Sequence, residues 1–212
     1  MVSINGSLDS VVINGIRVDL PTHAADIDAH LYVSDLTLRT GGYMYPFFYG
    51  GAAISQTAIT VDRIIATPFV VARKMTVDRI AFDTANSDTG KAVRLGIYNN
   101  GTNLYPGTLL IDGGATATIE SAGTFTVTIS QQLTPGLYWL AAVTNGSSVQ
   151  TRLIISAYTI LGVDASPADQ ASNQTGWTVA QTYGALPNPF TGGGTMLTQH
   201  LKLIHLRLLS LD

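Results

Sequence analysis

Four histidines, His23, His30, His200 and His205, are the residues of this 212-residue chain best suited to acid–base or metal chemistry. None has the H-E-x-x-H spacing that sets two imidazoles on one helix face. The chain contains no cysteine, so no thiolate completes a zinc set. His200 and His205 do not share a strand face, and on a helix they would lie about 140° apart. They read as packing or hydrogen-bonding residues. The acids are as thinly placed. Asp26 and Asp28, and then Asp83, Asn86 and Asp88, resemble calcium loops only loosely, because no closing glutamate follows them. They read as solvated turn residues. No two acids stand together as a general acid–base pair, and neither a nucleophile elbow nor a phosphate loop is present. The sequence therefore offers no catalytic residue, metal set or cofactor motif, and a non-enzymatic protein is expected.

Two aromatic groups remain. Trp177 and Tyr183 share a glycine-rich stretch with Asn173, Gln174 and Gln181. Ring faces stack on sugar C–H groups while amides bind hydroxyls, so this set could contact a receptor or glycan. The same rings could instead fold back onto the sheet or a neighbouring subunit. The second group, Tyr43, Tyr45, Phe47, Phe48 and Tyr49, is bracketed by glycine pairs and broken by Pro46. It could plug a local core, or anchor the chain onto a partner chain.

The elements that must position these residues are strands. Charged residues make up only 12% of the chain, Glu120 is the sole glutamate, and Lys74, Lys91 and Lys202 are the only lysines. Glu and Lys dominate solvated helix faces, so their scarcity disfavours helices. Gly, Thr, Val and Ile favour strands and turns. A surface this poor in charge is expected to hide area against other copies or proteins. The alternative is a monomer coated in Thr, Ser and Asn. The net charge of −3 and the lack of a Lys/Arg cluster argue against nucleic acid. No apolar run reaches the ~18 residues of a membrane-spanning helix. The amino terminus has no secretion signal pattern, so folding in a cytoplasm is expected.

"SVVINGIRVDL" predicts a hairpin about Asn14-Gly15. Pro21 to Asp28 could open a helical turn or two, and Tyr32 to Thr40 reads as a strand. From Ala52 the pattern is β throughout. Val93, Leu95 and Ile97 share one face ahead of an Asn99-Asn100-Gly101 turn, and Tyr105-Pro106-Gly107 follows. "TLLIDGG" predicts a strand ending at its glycine pair. "ATATIESAGTFTVTISQQLTPGLYWLAAVTNGSS" predicts three strands, parted at Ala122-Gly123, Pro135-Gly136 and Asn145-Gly146. A phase change near Arg73-Lys74 marks a bulge or turn. Strands with turns every 8 to 12 residues predict an antiparallel sandwich or barrel. Gly162 to Thr195 reads as one long loop. "MLTQHLKLIHLRLLSLD" reads as an apolar strand inside a sheet or interface, with a helix as the alternative.

"TPFVVARKMTVDRIAFDT", "VRLGIYNNGTNLYPGTLLIDGG" and "GTFTVTISQQLTPGLYWLAAVTNG" together resemble a pattern of bacteriophage virion proteins, in fibre tips and tail-associated proteins. The resemblance covers about Thr67 to Gly146. Its most specific parts are Ile97-Tyr98, Pro106-Gly107-Thr108-Leu109-Leu110 and Pro135 to Ala141. It implies an all-β, jelly-roll-like antiparallel sandwich over 52–212, and an attachment or oligomerisation segment over 1–51. It further implies a homotrimer, contacts with other virion proteins, and a surface that meets host polysaccharide. Short tail-fibre or baseplate-associated tip, head decoration and soluble carbohydrate-binding module are the readings that follow. The chain departs from a complete long fibre in lacking a shaft and a depolymerase region.

Overall fold

The computed structural model describes residues 10–13, 16–19, 39–46, 48–159, 174–198 and 200–212. Contacts divide the chain into two units, Met1–Leu38 and Arg39–Asp212. In the first, β1 (Ser10–Ile13) and β2 (Ile16–Asp19) pair antiparallel with Ile13 opposite Ile16. That is the predicted hairpin, although Asn14 and Gly15 themselves lie outside the described residues. So do Pro21 to Asp28 with its carboxylates, His23, His30, Phe47 and Asn173. The division falls ahead of the expected one at residue 51. The reason is pairing: strands within 39–58 bond to strands of the second unit.

That unit is an all-β fold of two antiparallel sheets resembling a sandwich. Its strands are β3 (Tyr43–Met44), β4 (Phe48–Ala58), β5 (Arg63–Val71), β6 (Met75–Thr84), β7 (Val93–Asn100), β8 (Pro106–Ala115) and β9 (Gly123–Leu133). They continue with β10 (Gly136–Thr144), β11 (Gln150–Thr159), β12 (Gln174–Ala180), β13 (Thr195–Thr198), β14 (His200–Lys202) and β15 (Ile204–Leu211). One sheet runs β13-β12-β5-β10-β7-β8. The other runs β14-β11-β6-β15-β3, with β4 paired to β11 and β9 to β6. The leucine-rich tail is therefore strand, but three short strands in place of the one expected: β13 pairs β12 in the six-stranded sheet, and within the seven-stranded sheet the partner changes at Leu203. β14 pairs β11, Leu203 N–H donates to Arg152 O at 3.0 Å, and β15 then pairs β6.

The turn chemistry falls where the sequence puts it. Gly101 N–H donates to Tyr105 O at 2.8 Å, closing the β7–β8 hairpin over a short 3-10 turn, Thr102–Leu104. A Cβ on Gly101 would lie 3.1 Å from Gly107 Cα, so the two crossing backbones require glycine. Two expectations differ. The Gly113-Gly114 pair does not end β8, which continues to Ala115. A Cβ on Gly113 would stand 2.9 Å from Val127 Cγ2, so the bare glycine lets β8 close against β9. The strand expected between Ala115 and Ser121 is reduced to a single bridge, Asp88 to Ile119.

β5 and β10 are buried on both faces, which explains their unbroken apolar runs. Leu140 and Ala142 lie on the face of β10 opposite Trp139, Ala141 and Val143, and all five are buried. Trp139 is fully enclosed and donates its indole N–H to Asn100 Oδ1 at 3.0 Å. Trp139→Ala should lower unfolding free energy by about 3–5 kcal/mol. Urea denaturation with an unchanged midpoint would contradict the packing.

One charge lies within this apolar frame. Lys202 is buried beside its β14–β11 pairing, and burial pushes its pKa down to about 8. The unfolded lysine titrates near ~10.4. Between those values the unfolded chain binds more protons, so stability should rise as pH climbs from 8 towards 10.4. Below pH 8 the penalty is fully present. Lys202→Met should therefore gain about 2 kcal/mol at pH 7 and lose that part of the alkaline rise. Thermal melts from pH 6 to 10 check both.

Candidate functional site

The glycine-rich stretch expected as one loop contains β12, and residues 181–194 fold over the outer face of the six-stranded sheet. Leu186 and Phe190 are buried there against Ile64, Ala66, Tyr98, Trp139, Ala141, Val143 and Val179. Polar anchors hold the cover. Tyr98 donates its hydroxyl to Pro187 O at 2.8 Å, and burial raises its pKa. Tyr105 donates to Thr191 O at 2.6 Å and accepts Gly194 N–H at 2.9 Å. Asp112 accepts the Arg94 fork together with the N–H groups of Leu186 and Gly114, each N–H at 3.0 Å. Burial pushes this carboxyl up, but those donors prevail and hold it below the usual range.

The residues proposed for receptor contact take part in this cover. Trp177 is half-buried, meets Tyr105 edge-on at 4.9 Å, and donates its indole N–H to Leu104 O at 2.7 Å. Leu104 sits at φ 52°, a left-handed conformation disfavoured for leucine, and the indole bond helps to fix it. Tyr183 packs against the same cluster, and its N–H donates to Asp62 Oδ1 at 2.8 Å. Gln181 accepts the Thr191 hydroxyl, and Gln174 is buried. The rings thus turn back onto the sheet. Trp177→Ala should lower stability by about 2 kcal/mol. A shift of the denaturation midpoint within error of zero would show that the indole does not hold the cover.

A different surface is left open. On the outer face of the seven-stranded sheet, a groove of about 590 Å³ is lined by Tyr43, Tyr45, Ile54, Ala81, Asp83, Thr124, Thr126, Arg152, Leu203 and His205. Strand register assembles it. Thr126, Ala81 and His205 stand in one row across β9, β6 and β15, and Thr124 and Asp83 in the next. Ala81 is the small residue between two larger neighbours, so it forms the floor. Arg152 on β11 pairs with Asp83, which also accepts the Thr124 hydroxyl at 2.9 Å. Tyr45 meets the His205 ring edge-on at 4.8 Å. Burial lowers the His205 pKa, and Asp83 offsets part of that shift. Its buried Nδ1 has no hydrogen-bond partner among the described residues. Ile54 is 65% exposed, Tyr45 60% and Tyr43 40%, unusual values for large apolar side chains.

Of the aromatic group expected at an interface, Tyr43 and Tyr45 reach this groove, while Phe48 and Tyr49 lie on β4. Sequence reasoning missed the rest, since Ile54, Asp83, Thr124, Thr126, Arg152 and His205 come from five strands. Asp83 was singled out only as a turn residue. Its companions in that turn are structural. Asn86 joins Ser148 O and Gln150 N–H, and Asp88 accepts Ser148 N–H at 2.9 Å. Among the described residues no group of three His, Asp or Glu converges as a metal set. His200 is exposed. The fold and site together define a β-sandwich with an aromatic-rimmed groove on one sheet face. Compared with family models, curated proteins and solved structures, the chain matches none.

Proposed function

We propose that this chain is a non-enzymatic structural protein of a bacteriophage virion, a short tail-fibre or baseplate-associated tip that presents a host-recognition surface. The observation that carries the reading is the groove. It sets exposed tyrosines and a polar cluster on a rigid sheet, the arrangement expected of a binding surface. The motifs of the virion resemblance support it by falling on the strands β5 to β10. Consecutive strands β9 to β12 alternate between the two sheets, which supports the jelly-roll manner of winding. Self-association as a closed trimer and contact with other virion proteins belong to the same reading. The uncharged run from Thr40 to Val61, which includes exposed Ile54, supports them. A soluble carbohydrate-binding module would use the same groove, but it would not be built into a particle.

Mass spectrometry of purified particles from cells carrying the gene should recover the chain in stoichiometric amount, and antibody labelling should mark the tail tip. Absence from the particles would sink the reading, and labelling of the head would replace it with a decoration role. Light scattering of the purified chain should give a multiple of 22.4 kDa. A monomer at micromolar concentration would remove the oligomer.

A further inference from the structure

We infer that the groove on the seven-stranded sheet takes an uncharged saccharide; this rests on the reading of that face as the recognition surface. A pyranose presents two kinds of surface, C–H faces that stack on rings and a rim of hydroxyls that both donate and accept. The groove offers both. Tyr43 and Tyr45 supply exposed rings at one side, with Ile54 and Leu203 as apolar neighbours. Across the Ala81 floor stand an acceptor in Asp83, a donor in Arg152, and hydroxyls on Thr124 and Thr126.

Charge selects among saccharides. Asp83 and Arg152 pair with each other, so their charges cancel within the lining. His205 is the only other titratable imidazole or acid there, and burial favours its neutral form. A uronic or sialic acid would leave its carboxylate desolvated beside Asp83 without a cation of its own. An extended peptide is a poorer fit, because strand addition needs a free strand edge and the groove lies on a sheet face. Nucleic acid would need a surplus of positive charge.

The test uses the full chain on an array of neutral hexose and deoxyhexose oligosaccharides with matched uronic-acid and sialylated members. It also measures adsorption of the chain to host cells. Neutral members should bind and acidic ones should not. Tyr45→Ala should weaken neutral binding by about tenfold, roughly one aromatic contact, and Thr126→Val should weaken it less. Tyr45→Phe should restore binding, since the ring face and not the hydroxyl is required. Equal or tighter binding of acidic members would overturn the inference. If no neutral saccharide binds while adsorption still falls in Tyr45→Ala, the ligand class is wrong and the recognition reading stands. If Tyr45→Ala changes neither saccharide binding nor adsorption, both fall. If saccharides do not bind and Tyr45→Ala shifts the oligomer mass, the groove seats a second copy and the inference is overturned.

Discussion

Burial of the six-stranded sheet on both faces is the constraint from which the rest of the structure follows. A sandwich needs only one covered face per sheet, yet β5 and β10 carry apolar side chains in both directions. Trp139 and Tyr98 would be left in water if the outer face were bare. The segment between β12 and β13 prevents this by placing Leu186 and Phe190 on them. Its backbone has few partners of its own. Tyr98, Tyr105 and Asp112 bond to its backbone, and its own Asn188 Oδ1 accepts Leu109 N–H of β8.

The covered and open faces divide the labour of the molecule. On the six-stranded side Trp177, Tyr183 and Gln181 make contacts that hold the cover. On the seven-stranded side the alternation of β9 leaves Thr124, Thr126, Thr128, Ser130 and Gln132 exposed. The ion pairs of that face join Arg152 to Asp83, and both Arg207 and Arg79 to Asp78, so most of its charge is paired locally. The Arg207 hydrogen bond is the leading reason that Asp78 stays well below the usual carboxylate range. The result is a polar, nearly neutral sheet face with tyrosines along one side.

The scarcity of charge gains a physical meaning in this frame. No charged residue occurs between Ser121 and Thr151, a stretch that contains β9 and β10. For β10 this is enforced by burial on both faces. For β9, whose outer residues are exposed, it is not; hydroxyls and amides there serve where Lys or Glu would be usual. Lys202 is the converse, a charge placed where burial disfavours it, with no compensating ion pair among the described residues.

What the sequence determined by itself was local. Period-two alternation and the Gly/Asn/Pro breaks placed β6, β7, β9, β10 and β15, because side-chain burial and turn conformation are decided within a few residues. Composition alone disfavoured a helical fold. The glycine pair at 113 and 114 was misleading as a strand end: Gly113 marks a close approach to Val127 of β9, Gly114 sits at φ 92°, and β8 runs on to Ala115. Only the tertiary structure showed what the aromatic residues touch. Trp177 and Tyr183 had two readings, recognition or cover. Their partners Leu104, Asp62 and Tyr105 lie far away in the chain. The groove was equally invisible, because register between β3, β4, β6, β9, β11 and β15 sets its residues side by side. No spacing along a single strand encodes which strands become neighbours.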